Sequence, residues 1–322
     1  MQWHQFQDEE MKFIMYSTKD ALDASRPGVI YKDKIVDIRL FLEYLGISST
    51  INTLRDFIEL NREAIARFKE NVNLSEALAF PAVLKFSDVV FRAPLADARK
   101  LILLAGNYIE HIREVGYRIP PSAERITPQF FMKPPSTTII GPEMPVILSR
   151  NSIWVDWEAE LAVVISQDGK NIPEEDAMDY VFGYTILNDI SERKFNTTIK
   201  DRFQREKDPL FDWLHGKWFD GFAPMGPCIT SKEDLPDPNK LKISLFHNGV
   251  LQQDGCTADM IHTIPYLIHK LSQIMTVESG DVIATGTPSG VGISKGIQLR
   301  EGDELVCRID VIGELRNPIE AE

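Results

Sequence analysis

The stretch Val155-Asp156-Trp157-Glu158-Ala159-Glu160-Leu161-Ala162-Val163-Val164-Ile165 decides how this chain reads. Its apolar second half marks it as a strand. Residues two apart on a strand face one side, so Glu158 and Glu160 aim together while Trp157, Ala159 and Leu161 share the opposite face. A second apolar run, Val181 to Leu187, is followed by Asp189. Acids at an exposed strand edge are common and need no further role. Acids set among core residues repel one another and must be paired, protonated or metal-bound. For three carboxylates the simplest resolution is a hard dication, Mg²⁺ or Mn²⁺, held by Glu158, Glu160 and Asp189.

The rest of the chain is compatible with a soluble globular protein. It has 322 residues, 43% hydrophobic and 26% charged, enough for one large domain or two. No apolar run approaches the roughly 20 residues of a membrane span, and the N-terminal stretch has no signal-peptide pattern. Cys228, Cys256 and Cys307 are the three cysteines, too scattered for a disulfide framework or a zinc site. A cytoplasmic location is the expectation, and Asn196-Thr197-Thr198 is then a chance sequon. The net charge of −13 disfavours nucleic acid and anionic lipid as partners. It leaves room for an anionic small molecule, because a bound cation and a few local lysines reverse the field inside one cleft.

Along the chain, residues 12–38 alternate short apolar runs with turn residues and predict strands. Ile51, Leu54, Ile58, Ile65 and Phe68 recur at helical spacing. A composition shift near residue 95 divides a small N-terminal domain, 1–95, from a larger one, 96–322. In the larger part strands are expected at 101–104, 137–140, 146–148, 158–165, 242–247, 281–285, 304–309 and 311–315. Helices are expected at 107–115, about 174–180 and 264–275. Asn248-Gly249 signals a hairpin, 120–128 a loop, and the charged run 191–213 an exposed excursion. Such a strand-rich order without βαβ alternation predicts an α+β fold.

Three further features carry possible chemistry. His111 and Glu114 are neighbours on a helix, and read either as a general base oriented by a carboxylate or as a solvated surface pair. Lys133 and Lys217 lie outside the charge runs, and either stabilise an oxyanion or are solvated. The loop Gly286-Thr287-Pro288-Ser289-Gly290-Val291-Gly292 follows a strand and could present backbone N–H groups to an anion. It lacks the ending of a P-loop and the spacing of a dinucleotide fold.

Taken in order, six segments resemble the fumarylacetoacetate hydrolase family. They are Gly106 to Glu114 (GNYIEHIRE), Phe131-Met132-Lys133-Pro134, Val155 to Ile165, Gly183 to Ser191 (GYTILNDIS), Gly216 to Pro227 (GKWFDGFAPMGP) and Gly280 to Gly292 (GDVIATGTPSGVG). The resemblance implies a mixed β-sandwich roll in the catalytic domain, with acids at the positions of Glu158, Glu160 and Asp189 binding Mg²⁺ or Mn²⁺ and chelating a 2-keto acid. It implies substrate contacts from Lys217 and Thr287 in its Gly286-Thr287 turn, with Arg193 close by and Lys133 pointing into the pocket. The segment with His111 and Glu114 would act as a lid, and members are commonly homodimers or larger. Three departures stand out. Trp218 replaces the usual serine and would narrow the pocket or turn outward. Asn196 replaces a longer glutamine at a substrate contact. The stretch from Arg193 to Lys217 is several residues longer than in compact members.

The expected reaction is hydrolysis of a carbon–carbon bond in a 2,4-diketo acid (an acylpyruvate). The dication would favour the enolate leaving group, His111 would activate water, and Lys133 or Lys217 would stabilise the oxyanion. Isomerisation of a hydroxymuconate-type acid, hydration of a dienoate and decarboxylation of a β-keto acid use the same metal-enolate chemistry. A non-catalytic small-acid-binding role is a third reading.

Overall fold

The computed structural model describes residues 10–31, 34–47, 50–60, 62–72, 83–116, 118 and 126–322. Most of the expected 120–128 loop lies outside them. The chain is α+β with sheet predominating, as expected. Its main sheet runs, in spatial order, through Val83–Lys85, Lys34–Asp37, Ala21–Tyr31, Lys12–Thr18, Ala223–Ser231, Val181–Asn188, Ala159–Ile165, Val282–Ala284, Leu101–Ala105 and Gln129–Lys133. A second sheet of five strands is ordered Val250–Cys256, Lys242–His247, Glu304–Ile309, Gly313–Ala321 and Val146–Leu148. Among the described residues no helix is long and apolar enough to cross a membrane.

The alternation along Ala159–Ile165 is used on both faces. Trp157, Ala159, Leu161 and Val163 join Ile243, Leu245 and Cys307 in one core, facing the second sheet. Ala162 and Val164 join Phe13, Phe57, Phe68 and Phe182 in another, which the N-terminal helices cover. A strand buried on both faces reads as nearly continuous hydrophobicity, which is why the acids within it stand out.

The N-terminal strands are built into the same sheet. Lys12 and Phe13 pair with Thr230 and Ile229, and the rings of Phe13 and Phe182 lie 5.1 Å apart. Other differences from the sequence reading are local. The single helical face of residues 51–69 becomes two helices, Leu54–Ile58 and Arg62–Asn71. The first is held by a capping box between Thr53 and Asp56 and ends at the C-cap Glu59. Thr138 closes a short helical turn, so only Ile139–Ile140 of the expected strand at 137–140 is extended. The charged excursion contains the helix Asp208–Gly216, with a proline in its first turn. The Asn248-Gly249 hairpin forms as expected, with both residues at positive φ.

Candidate active site

Glu158 lies just before the strand Ala159–Ile165, in two residues that leave the ladder. Side chains take over the stranded N–H groups there. Trp157 N donates to Asp156 Oδ1, Glu158 N to Asn188 Oδ1 and Ala159 N to Gln253 Oε1. Asp189 N in turn donates to Glu158 O at 2.8 Å, fixing the two acids side by side. This detour is what brings a third carboxylate to the glutamate pair. One oxygen from each of Glu158, Glu160 and Asp189 lies within 4.8 Å of the others, and all three residues are buried.

Cations surround the acids unevenly. Lys217, at the C-cap of the helix Asp208–Gly216, reaches Glu158 Oε2 at 2.9 Å and Asp189 Oδ2 at 2.5 Å. Arg193 Nη2 donates to Glu158 Oε1, and Arg193 Nε donates to Asp156 Oδ2 at 3.0 Å. Lys133, ending the strand Gln129–Lys133, donates to the carbonyls of Ile190 and Phe222 and pairs with Asp189 Oδ1. Glu160 receives one backbone donor, Gly286 N at 2.8 Å. Gly286 sits at φ +89°, where a Cβ would come within 2.8 Å of Asn107 Cβ, so a side chain there would disturb the support of Glu160.

The titration of these groups follows from that arrangement. Burial works against ionising Glu158, but Lys217, Arg193 and His111 outweigh it and hold the carboxyl well below the usual range. Burial, Asp189 and Glu158 together push Glu160 well above it. Burial lowers Lys133 to about 8, with Asp189 opposing. For Lys217 burial is outweighed by Asp189 and Glu158, and its ammonium is held above the ordinary value.

These observations test the fit of a metal. Asp189 Oδ1 is buried and lacks a hydrogen bond of proper geometry despite its close ion contact with Lys133. Glu160 is short of positive charge. Four buried carboxylates, counting Asp156, face two buried lysines and the part-buried Arg193. An all-oxygen anionic donor set short of positive charge fits a hard dication, and Glu158, Glu160 and Asp189 would hold it.

The remaining expected residues divide. His111 is buried on the helix Ile109–Glu114, with Nδ1 2.8 Å from Glu114 Oε1. Glu114 Oε2 accepts from Gly290 N and from Ser294 Oγ, whose single proton also has Val291 O within reach at 2.8 Å. Burial alone would raise the Glu114 carboxyl, but the hydrogen bonds from His111, Gly290 and Ser294 hold it below the usual value. Thr287 Oγ1 donates to Ala159 O and accepts from Gln253 Nε2, so its hydroxyl proton is committed to the scaffold. Asn196 donates to Asp212 Oδ1, beside the Arg202–Asp212 pair. Trp218 turns outward, its indole N–H donating to Met132 O.

Sequence reasoning missed Asp156, Asn107 and Gln253. Asn107 joins His262 to Thr285 through three hydrogen bonds. Gln253 joins Ala159 to Thr287 and Pro288. Only Asp156 carried a signal, being one more acid at the parity of Glu158 and Glu160.

The model of the fumarylacetoacetate hydrolase C-terminal domain matches residues 100–320. The chain belongs to the fumarylacetoacetate hydrolase family. A mitochondrial oxaloacetate tautomerase of Xenopus laevis is 34% identical over 313 residues, covering 96% of this chain and 90% of that protein. Maleylpyruvate hydrolase from Sphingobium sp. SYK-6, solved with manganese(II) and pyruvate, superposes with a TM-score of 0.71 at 27% identity. It covers 97% of this chain and 99% of its own. The 2-hydroxyhepta-2,4-diene-1,7-dioate isomerase of Mycobacterium marinum gives 0.70 at 26% identity, covering 97% and 99%. The chain is thus an enzyme of a family whose hydrolases, isomerases and tautomerases share this fold.

Proposed function

We propose that this chain is a Mg²⁺- or Mn²⁺-dependent enzyme of 2-keto acids, and that it interconverts the enol and keto forms of oxaloacetate or a similar keto diacid. The observation that carries the reading is the buried triad of Glu158, Glu160 and Asp189 beside the His111–Glu114 pair. The tautomerase relative, matched over nearly the whole chain, supports this choice of reaction.

A dication held by the triad would supply the positive charge that favours the enolate form of a 2-keto acid. The chain's own residues supply the proton chemistry. His111 Nδ1 is engaged by Glu114, so Nε2 is the atom that moves a proton between C3 and solvent. Glu114 keeps the ring oriented. Lys217 and Lys133 hold the facing oxygens of Glu158 and Asp189 in place.

Carbon–carbon hydrolysis of a 2,4-diketo acid is the second reading, favoured by the same dyad. In it His111 Nε2 removes a proton from the water that attacks the distal carbonyl. The carbon–carbon bond then breaks, and the enolate fragment takes up a proton. Homodimer formation is a further proposal, supported by the exposed Phe203, Leu210, Phe211 and Trp218 and tested by light scattering.

The deciding experiment presents enol-oxaloacetate and, separately, acylpyruvates to the purified protein. Enol loss should exceed the spontaneous rate, stop with a chelator and return with Mn²⁺. His111→Ala should cut turnover about a hundredfold or more and leave Mn²⁺ binding intact. Turnover indifferent to both chelator and His111→Ala sinks the reading, whereas pyruvate release from acylpyruvates alone selects the hydrolase.

A further inference from the structure

Asp156 has no role in the chemistry above, yet it is fully buried and accepts four hydrogen bonds. Oδ1 takes Trp157 N at 2.8 Å and Gly292 N at 2.6 Å. Oδ2 takes Ile293 N and Arg193 Nε, each at 3.0 Å. These donors belong to two different parts of the site. Arg193 passes its other arm to the triad acid Glu158. Gly292 and Ile293 lie in the turn that also carries Gly290 and Ser294, the two donors that hold Glu114 Oε2.

The turn is shaped for this carboxylate. A Cβ at Gly292 would lie 2.6 Å from Asp156 Oδ1 and 2.4 Å from Ile297 O, so only glycine lets the backbone come this close. Trp157 adds a second tie, its indole N–H donating to Gly290 O.

We propose that Asp156 is a positioning residue that sets the His111–Glu114 pair in register with the acid triad. It acts on one side through Arg193 and Glu158, and on the other through the 290–294 turn and Glu114. Ser294 is the outer latch of the same device. The coupling is a property of the folded chain, and its bearing on turnover rests on the function proposed above.

Asp156→Asn separates this from a merely structural role. The amide accepts at Oδ1 but places a donor against Ile293 N and Arg193 Nε, which have nowhere else to go within the turn. Amide hydrogen exchange in residues 109–116 and 290–296 should then quicken about tenfold, with exchange in the strand Lys242–His247 unchanged. The Mn²⁺ dissociation constant, read by electron paramagnetic resonance, should rise about tenfold or more, because Arg193 loses its second acid and competes for Glu158. Ser294→Ala should quicken exchange at 109–116 alone and leave Mn²⁺ affinity as it was. If Asp156→Asn folds and exchange at 109–116 does not change, the coupling is refuted. If Asp156→Asn does not fold, unchanged exchange at 109–116 in Ser294→Ala refutes the latch and with it the route to Glu114. Neither readout needs a substrate, so a wrong reaction assignment leaves this test standing.

Discussion

Lys217 Nζ sits 2.9 Å from Glu158 Oε2 with both side chains buried, and the same ammonium bridges to Asp189. Removing one partner of a buried ion pair leaves an uncompensated charge. Lys217→Met should therefore destabilise the metal-free protein by about 3–5 kcal/mol. Added Mg²⁺ should recover part of that loss by supplying positive charge to the same oxygens. Denaturant unfolding with chelator and with Mg²⁺ measures both. Equal losses in the two conditions would mean that the metal does not share these ligands.

Glu160 leads to the opposite outcome. Its carboxyl is pushed above the ordinary 4.5 by burial and by Asp189 and Glu158. A carboxyl raised in the fold takes up a proton more readily there than in the unfolded chain. Its contribution is therefore lost as pH rises from the ordinary value through the raised one. Glu160→Gln removes that loss, so the metal-free variant should be at least as stable as the parent near neutral pH. Mn²⁺ should raise the melting temperature of the parent and leave that of the variant unchanged. A clear destabilisation without metal would contradict the charge imbalance described here.

Glu114 titrates in the other sense. Held below 4.5 by His111, Gly290 and Ser294, it contributes stability that is present above the ordinary value. That stability is lost as pH falls through the lowered one. The melting-temperature gap between the parent and Glu114→Gln should be open at neutral pH and narrow as the pH falls below the ordinary carboxylate value. A gap that persists in acid would show that the amide fails for steric reasons.

Val311 stands at φ +69° and is more than a third exposed. A β-branched residue is strained in that region. Asparagine tolerates it, and the Val311 carbonyl would still accept from Lys12. Val311→Asn should raise stability by about 1 kcal/mol, measured by equilibrium unfolding, with Mn²⁺ affinity unchanged.

Much of this arrangement was legible in the chain because it follows from local period. The parity of Glu158 and Glu160 with Ala162 and Val164, and the arrival of Asp189 at a strand end, need only the alternation of a strand. The helix spacing of His111 and Glu114 is equally local. What sequence could not supply are contacts between distant segments. Gln253 supports Ala159 from 94 residues away, and Asn107 meets Thr285 from 178. No periodicity encodes such pairs. The hydroxyl of Thr287 and the ammonium of Lys133 have their donors spent on carbonyls and on Asp189, which only three-dimensional neighbours reveal. The break between Leu54–Ile58 and Arg62–Asn71 was hidden because apolar residues keep helical spacing across it.

The seam where Lys12 and Phe13 pair with Thr230 and Ile229 governs how this protein can be cut. A fragment lacking the N-terminal strands would leave Ala223–Ser231 with open amides and carbonyls along one side, and would strip the aromatic cover from Phe182. Such a bare margin recruits a neighbouring chain. Anyone trimming this enzyme to residues 96–322 should expect sticky, self-associating material unless that margin is blunted first.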